Sequence, residues 1–512
     1  MNISEFLILS SAIVPDRTAI SFENRSFTYE NLYERVNNIS SALKDIGINK
    51  GDRIAVMNVN SHHLIEVFFA CCQIDAVFVP INFRAKSEEL SQMLKISQPK
   101  LLFLGNRYAD LITKDMLSLN QHVIILDGPE TSESVDYLKL VSGSGEQIEF
   151  PENDESDTAV IMFTSGTTGT PKGVLLSHDS FSSYILSNIS PADPDVEESN
   201  LLTVPLYHIA GLQASVAGIF GGRTIVLMKQ FSPDLWMSLV NKHGIDRAML
   251  VPTMMKQLID SPNFNFSNLA SLKVITYGAS QMPLNVITKA LKLFPGVQFI
   301  NAFGQTETAS TITMLSPEDH MILGTPEEIQ IKTTRLSSIG KPLNDVEVMI
   351  VGSNGQQLPT GEIGEIVARG ERMMTGYWKQ EQATAQTKIN GWIYTGDLAY
   401  QDSEGYIFLA GRSKDFIKRG GEMISPEEVE QFLMTNPLVE EAAIVGVPDD
   451  EWGEVVKAFI VKSPGSSLTE AEIIDYCGSN LSSFKKPQQV TFLDVMPRNA
   501  LGKILKTELR MQ

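Results

Sequence analysis

The sequence predicts an α/β protein, with a large N-terminal domain whose mostly parallel sheets are flanked by helices and a small α+β domain after it. Three observations carry this reading. Short apolar runs alternate with longer amphipathic ones along most of the chain. The length, 512 residues, exceeds what a single hydrophobic core organises. The pattern then changes after the polar run "GRSKDF" at 411–416, just past the strand-like "GYIFLA".

The elements follow in order. "RIAVMNV" reads as a strand before the helical "SHHLIEVFFACCQI"; "AVFVPIN" precedes "KSEELSQMLKIS"; "KLLFLG" is the next strand. Later strands are "RTIVLMK", "RAMLVP", "LKVITYG" and "VQFINAFG", each separated from the next by a helix-like segment. Alternation of this kind makes βαβ units, and so mostly parallel sheets covered on both faces. Past the boundary, "ISPEEVEQFLMT" offers Ser425 as N-cap, Pro426 at the first helical position and Glu428 as the return arm of a capping box. Strands "EEAAIVGVP" and "VKAFIVK" come next, then a second helix capped by Thr469 and Glu472, then "QVTFLD". The expected domains are 1–411 and 412–512.

Charge and composition exclude several classes. Hydrophobic residues make up 43% and charged residues 20%, an ordinary globular balance. The net charge of -20 argues against general binding to nucleic acid or to an anionic membrane. Any anionic ligand must be held by local N–H groups and a few placed cations. Cys71, Cys72 and Cys477 make no disulfide framework, and the first two lie in an apolar run that reads as core. The start, "MNISEFLILSSAIVP", lacks a basic n-region and does not read as a signal peptide. No apolar stretch reaches the roughly 18 residues of a membrane span, and "ELRMQ" is not a peroxisomal address. A soluble cytoplasmic protein is expected, with its oligomeric state open between monomer and homodimer. The acidic stretch at 191–200 reads as solvated surface.

One stretch carries chemistry on its own. "TSGTTGTPKG", residues 164–173, sets Thr164, Ser165, Thr167, Thr168 and Thr170 among three glycines, Gly166 and Gly169 included, with Lys172 at its end. Bare backbone, hydroxyls and one cation are the inventory of a phosphate cradle. It is not a Walker A loop, because Lys172 is followed by glycine where Ser or Thr is required.

This stretch resembles the signature of the adenylate-forming superfamily: acyl- and aryl-CoA synthetases, nonribosomal adenylation domains and firefly-type luciferases. "PLYHIAG", "AFGQTET", "MTGYWKQEQAT", "YTGDLA", "GRSKDFIKRGGEMISPEEVE" and "PRNALGKILKTEL" follow in that superfamily's order. The resemblance implies ATP, Mg²⁺ and CoA as cofactor and co-substrates. It makes Phe303 an adenine-stacking ring, where the superfamily usually has Tyr, in a nucleotide wall with Gly304, Gln305 and Thr306. It implies Thr164 and Glu307 at the metal, Asp397 on the ribose hydroxyls, Arg412 beside the same nucleotide and Lys172 on the pyrophosphate. Lys503 becomes the catalytic lysine, and Lys414 the hinge about which a mobile small domain turns. His208, Ile209, Gly278, Ala279 and Gly304 would line the acyl pocket, with His208 also able to polarise the substrate carboxylate. Lys418, Gly420, Gly421, Trp452, Phe484 and Lys486 would hold CoA.

Residues 201–233 contain no Asp or Glu. Amino-acid-activating relatives place an aspartate here, and an unpaired buried ammonium is costly, so an amino-acid substrate is disfavoured. The expected enzyme is an acid–thiol ligase, an acyl-CoA synthetase for a medium- or long-chain fatty acid, with an aryl acid as the second choice. Transfer to a separate carrier protein is the alternative, and a luciferase-like oxygenase the outside class.

Overall fold

The computed structural model describes residues 1–113, 116, 122–128, 134–143, 154, 156–164, 171–412, 415–419, 422–449, 451–499 and 502–512. Among these, four sheets are present. The first has nine strands, and its inner members Thr18–Phe22, Thr224–Leu227, Ser199–Leu202, Arg247–Leu250, Val274–Gly278 and Gln298–Gln305 run parallel. The second has seven, with Thr158–Thr164, Val77–Pro80, Arg53–Met57, Leu101–Leu104 and His122–Ile125 parallel and Lys172–Ser177 returning antiparallel to Thr158–Thr164. The strands expected from alternation are all in these two sheets.

The third sheet departs from the expectation of mostly parallel pairing. Glu347–Val351, Gly364–Arg369, Lys388–Ile389, Trp392–Gln401 and Ile407–Arg412 pair antiparallel throughout. The connections at 390–391 and 402–406 are too short for a parallel crossover, so the strands they join return antiparallel.

The fourth sheet forms the small domain. Gly453–Lys462 is flanked antiparallel by Val439–Asp449 and, at one register pair, by Ile417–Arg419; Gln489–Phe492 joins it parallel. The helices Pro426–Leu433 and Glu470–Asn480 help bury its core, which includes Ile444, Val456, Ile460 and Leu433. Thr469 and Glu472 make the full capping box expected. Ser425 makes only half of one. Its Oγ accepts from the Glu428 N–H, but the Glu428 carboxylate is taken by Lys485 at 2.6 Å, so the return arm is missing.

The helix His62–Gln73 is buried at every position, Cys71 and Cys72 included. Such a helix must satisfy its polar side chains inside the protein. Glu66 does so with Arg35 at 2.7 Å and with the Tyr137 hydroxyl, which donates to it at 2.5 Å. His63 stacks on His62 and meets Tyr137 edge-on. Burial, then the charges of His62, Arg35 and Arg25, hold the His63 imidazole well below its ordinary pKa.

The sign of the consequence is fixed. The unfolded chain takes up a proton at His63 near pH 6.5 and the folded one does not, so stability is full above that pH and falls below it. We expect wild type to lose about 1.4 kcal/mol per pH unit relative to His63→Phe below pH ~6.5, from one extra proton bound by the unfolded state. Urea titrations of both proteins between neutral and mildly acid pH check this; parallel pH dependences would refute it.

Candidate active site

The C-terminal ends of the parallel strands open onto a cavity of about 1470 Å³ between the large sheets and the small domain. Such a crevice beyond the carboxyl ends of strands is where open α/β sheets place ligands. Of the residues singled out in the sequence, Thr164, Lys172, His208, Ile209, Gly278, Ala279, Phe303, Gly304, Gln305, Thr306, Glu307, Asp397, Arg412, Lys418 and Lys503 all line it. Ser165, Gly166, Thr167, Thr168, Gly169, Lys414, Gly420 and Gly421 lie outside the described residues.

The phosphate-cradle motif is the connection of a β-hairpin. Thr164 and Lys172 are register partners in the antiparallel pair Thr158–Thr164 and Lys172–Ser177. Lys172 Nζ lies 4.7 Å from the centre of the Tyr377 ring. The Tyr377 hydroxyl donates to Glu307 Oε1 at 2.9 Å. Burial, then the Glu307 charge, push the Tyr377 phenol up, so it stays protonated and keeps that bond. Tyr377 thus joins the cation and the carboxylate. Sequence reading quoted its motif but gave it no role.

The wall opposite is made by two backbones in unusual contact. The strand Gln298–Gln305 pairs with Ser310–Leu315, with a slip between Phe303 and Gly304. A Cβ on Gly304 would fall 1.7 Å from the Ser310 carbonyl oxygen, and one on Gly278 2.2 Å from that of Ala302. Ala279, Ala309 and Ser310 have φ of 66°, 49° and 96°. Positive φ at non-glycine residues is uncommon and gathers at functional sites. Phe303 lines the cavity while also leaning on the main core.

Asp397 and Arg412 are register partners across two antiparallel strands, Oδ1 and Nε 2.5 Å apart. Burial raises the Asp397 pKa, reinforced by Glu307 and Glu365 and opposed by Arg412 and Lys503. His208 caps the helix Ile209–Phe220 without a side-chain cap bond. Its ring lies 4.2 Å from that of Tyr207, and its buried Nε2 has no hydrogen-bond partner among the described residues. Burial, then the charges of Lys503 and Arg84, lower its pKa to about 3, so the ring is neutral at physiological pH.

Lys503 arrives on a tight hairpin. Its N–H donates to Asn499 Oδ1 at 2.9 Å, and the Asn499 N–H donates to the Lys503 carbonyl at 2.8 Å. Arg498 donates to the Gly502 carbonyl at 2.5 Å and to Glu441 at 2.7 Å. Farther on, Lys506 pairs with Glu430 at 2.8 Å and Arg510 with Asp415 at 2.8 Å, fastening the tail to the small domain. Lys503 lines the same cavity as Asp397 and His208, and its charge bears on the pKa of each.

Trp452, Phe484 and Lys486 do not line the cavity. Arg419 gathers the first two on the small domain's surface: its guanidinium lies 5.6 Å from the Trp452 ring and donates to the Phe484 carbonyl at 2.6 Å. Trp452 is 43% exposed. Sequence reading missed Arg419, although it directly follows Lys418.

A two-domain α/β chain with a tail lysine in a cavity lined by hydroxyls, glycines and paired carboxylates has the build of an adenylate-forming enzyme. The family model "AMP-binding enzyme" matches residues 10–378, and "AMP-binding enzyme C-terminal domain" matches 428–503. The chain belongs to the AMP-binding enzyme family. It is 32% identical to the fatty acid–[acyl-carrier-protein] ligase ScoC of Streptomyces coeruleorubidus, over 97% of this chain and 93% of that one. It is also 32% identical to the indoleacetate–CoA ligase of Aromatoleum aromaticum, over 100% and 98%. Among solved structures, the O-succinylbenzoate coenzyme A synthetase of Bacillus subtilis in complex with ATP and magnesium ion superposes with a TM-score of 0.83. Identity there is 29%, over 98% of each chain. As a family member the protein is an AMP-forming acid–thiol ligase.

The close backbone contact makes one substitution decisive. Gly304→Ala should cost about 1–3 kcal/mol, as overpacking commonly does, because the added carbon meets a carbonyl rather than a movable side chain. A chemical denaturation midpoint unchanged from wild type would contradict the contact.

Proposed function

We propose that the protein is an acyl-CoA synthetase that activates a fatty or aryl acid as its acyl-adenylate and transfers the acyl group to CoA. ATP, Mg²⁺ and CoA serve it as nucleotide, metal and thiol. The observation that carries this reading is the tail lysine: Lys503 enters a cavity already lined by Thr164, Lys172, Glu307 and Asp397.

In the first half-reaction a carboxylate oxygen attacks the α-phosphorus and the bond to pyrophosphate breaks. Lys503 stands where negative charge is shared between acyl and phosphate oxygens, and favours that arrangement over the ground state. Lys172 and the hydroxyl loop hold the departing pyrophosphate. Asp397 takes the ribose hydroxyls, steadied by Arg412, and Phe303 stacks on the base. His208, neutral, orients the substrate carboxylate without competing with it as an anion or repelling Lys503 as a cation.

The residues present fit Mg²⁺. Among the described residues no group of three or more His, Cys, Asp or Glu could hold a metal unaided. Mg²⁺ typically takes one or two carboxylates together with phosphate oxygens and water, and Glu307, aimed by Tyr377, supplies the carboxylate, with Thr164 nearby on the cavity wall. Bound there, the metal would neutralise charge on the polyphosphate.

In the second half-reaction the small domain, residues 412–512 in our division from 1–411, turns about Lys414 and withdraws Lys503. The thiol attacks the acyl carbon and AMP leaves. Lys418, Gly420 and Gly421 flank the pantetheine arm, and Trp452, Arg419, Phe484 and Lys486 hold the CoA nucleotide by stacking and charge. Lys418 lines the cavity in the present pose. A carrier-protein thiol is the second reading, supported by the similarity to an acyl-carrier-protein ligase. Three buried free thiols fit a reducing compartment such as the cytoplasm; among the described residues no helix is long and apolar enough to cross a membrane.

The test is pyrophosphate release across decanoate, palmitate, indoleacetate and 2-succinylbenzoate, with free CoA or a pantetheinylated carrier as acceptor. We expect AMP with at least one acid and a thioester with CoA; no AMP with any acid would overturn the proposal. Lys503→Ala should slow pyrophosphate exchange about a hundred- to thousandfold while leaving thioester formation from synthetic acyl-adenylate nearly intact. Lys418→Ala should do the reverse. Equal loss of both steps in both variants would contradict the two-pose scheme.

A further inference from the structure

The helix Pro252–Ile259 of the large domain meets the small domain at two points on one face. Thr253 stands against Gly502, where an added Cβ would come within 2.4 Å of its hydroxyl. One turn on, Lys256 Nζ lies 3.1 Å from Glu440 Oε1. Residues three apart share a helix face, so both contacts belong to one docking surface. Lys256 is also held by Asp260 at 3.0 Å, and Asp260 by Lys289 at 2.5 Å. The ammonium is therefore aimed whether or not the small domain is seated.

Glu440 occupies an irregular position. The pairing of Val439–Asp449 with Gly453–Lys462 slips between Val439 and Glu441, leaving Glu440 outside the regular register. A bulge of this kind re-aims the extra residue's side chain. The next residue, Glu441, holds Arg498, which in turn holds the Gly502 carbonyl beside Lys503. Two consecutive carboxylates thus join the large-domain helix to the hairpin that carries the tail lysine.

We propose that the Lys256–Glu440 pair is a docking latch, and that Glu440 is a positioning residue for the first half-reaction. The proposal rests on the role of Lys503 given above. Both side chains are 34% exposed, so the pair is a weak contact of the kind that can open in each turnover. Closed, it seats Thr253 against Gly502 and keeps Lys503 in the cavity. Opened, it releases the small domain at little cost, because Asp260 remains on Lys256.

The two half-reactions are measured separately, as ATP–pyrophosphate exchange with the fastest acid of the panel and as thioester formation from its synthetic adenylate with CoA. Lys256→Ala and Glu440→Ala should each slow exchange about two- to fivefold, with thioester formation unchanged or faster. The double variant should be no slower than either single one, and Lys256→Arg should stay near wild type. Unchanged exchange, equal loss of both reactions, or additive losses in the double variant would overturn the latch. Lys503→Ala in the same assays separates the two readings. Exchange that survives there refutes the role of Lys503; exchange lost there but normal in Glu440→Ala refutes the latch alone.

Discussion

One ammonium group near the end of the sequence reaches a cavity whose other walls are built mostly by a different part of the chain, and the contacts around it hold it there. Lys503 lies near the end of the sequence, on a short hairpin tied by Asn499 and Arg498, and its charge acts on both Asp397 and His208. The protein carries a net charge of -20, so its long-range field does not draw a polyanion inward. Attraction has to be local. Lys172, Arg412, Lys418 and Lys503 all line the same cavity, among carboxylates that include Glu307, Glu365, Asp397 and Glu427, so an anionic ligand has to be met by these individually placed cations. Lowering the His208 pKa follows from the same arrangement, because a buried imidazole beside Lys503 cannot also hold a proton cheaply.

Strain is placed where the strands end and the cavity begins. Gly278 and Gly304 let backbones approach to distances no side chain would tolerate, and the neighbouring Ala279, Ala309 and Ser310 accept positive φ. Each such residue costs on the order of 1–3 kcal/mol and persists only where its surroundings impose it. Here the parallel core strands on one side and the antiparallel strand Ser310–Leu315 on the other do so. The result is a wall whose shape is set by main chain, the part of the molecule least able to drift when a nucleotide comes and goes.

Much of this was legible in the sequence, for physical reasons that differ between levels. Strands buried on both faces have continuous apolar runs, so "KLLFLG" announced itself, while "LKVITYG" and "VQFINAFG" were readable from their alternation with helical segments and end in residues that line the cavity. The Thr469 capping box was readable because its two arms need only each other. The Ser425 box failed because Glu428 had a competitor, Lys485, from a distant part of the chain, which no local pattern reveals. Of the antiparallel sheet only "GYIFLA" was read as a strand: Lys388–Ile389 is too short to show a period, and Gly364–Arg369 is interrupted by a register slip. Tyr377 shows the limit most clearly. Nothing nearby in sequence indicates that a tyrosine in the two-residue strand Gly376–Tyr377 will meet Glu307, seventy positions earlier, and Lys172, much earlier still.

The weakness of the contacts between domains follows from the chemistry proposed for them. A two-step enzyme that reuses one cavity needs a seated and a withdrawn pose of comparable free energy, since a strong preference for either would stall the other step. A deeply buried ion pair would be a poor choice, because breaking it strands a desolvated charge at a cost of several kcal/mol. Lys256 avoids that cost by keeping Asp260 as a permanent neighbour, and Glu440 avoids it by returning to water from a half-exposed position. The strong fastenings, Lys506 with Glu430 and Arg510 with Asp415, lie instead within the small domain, where they carry the Lys503 hairpin along as a rigid part of whatever moves. Bonds that must survive the motion are thus held inside one body, and bonds that must break are shared between two.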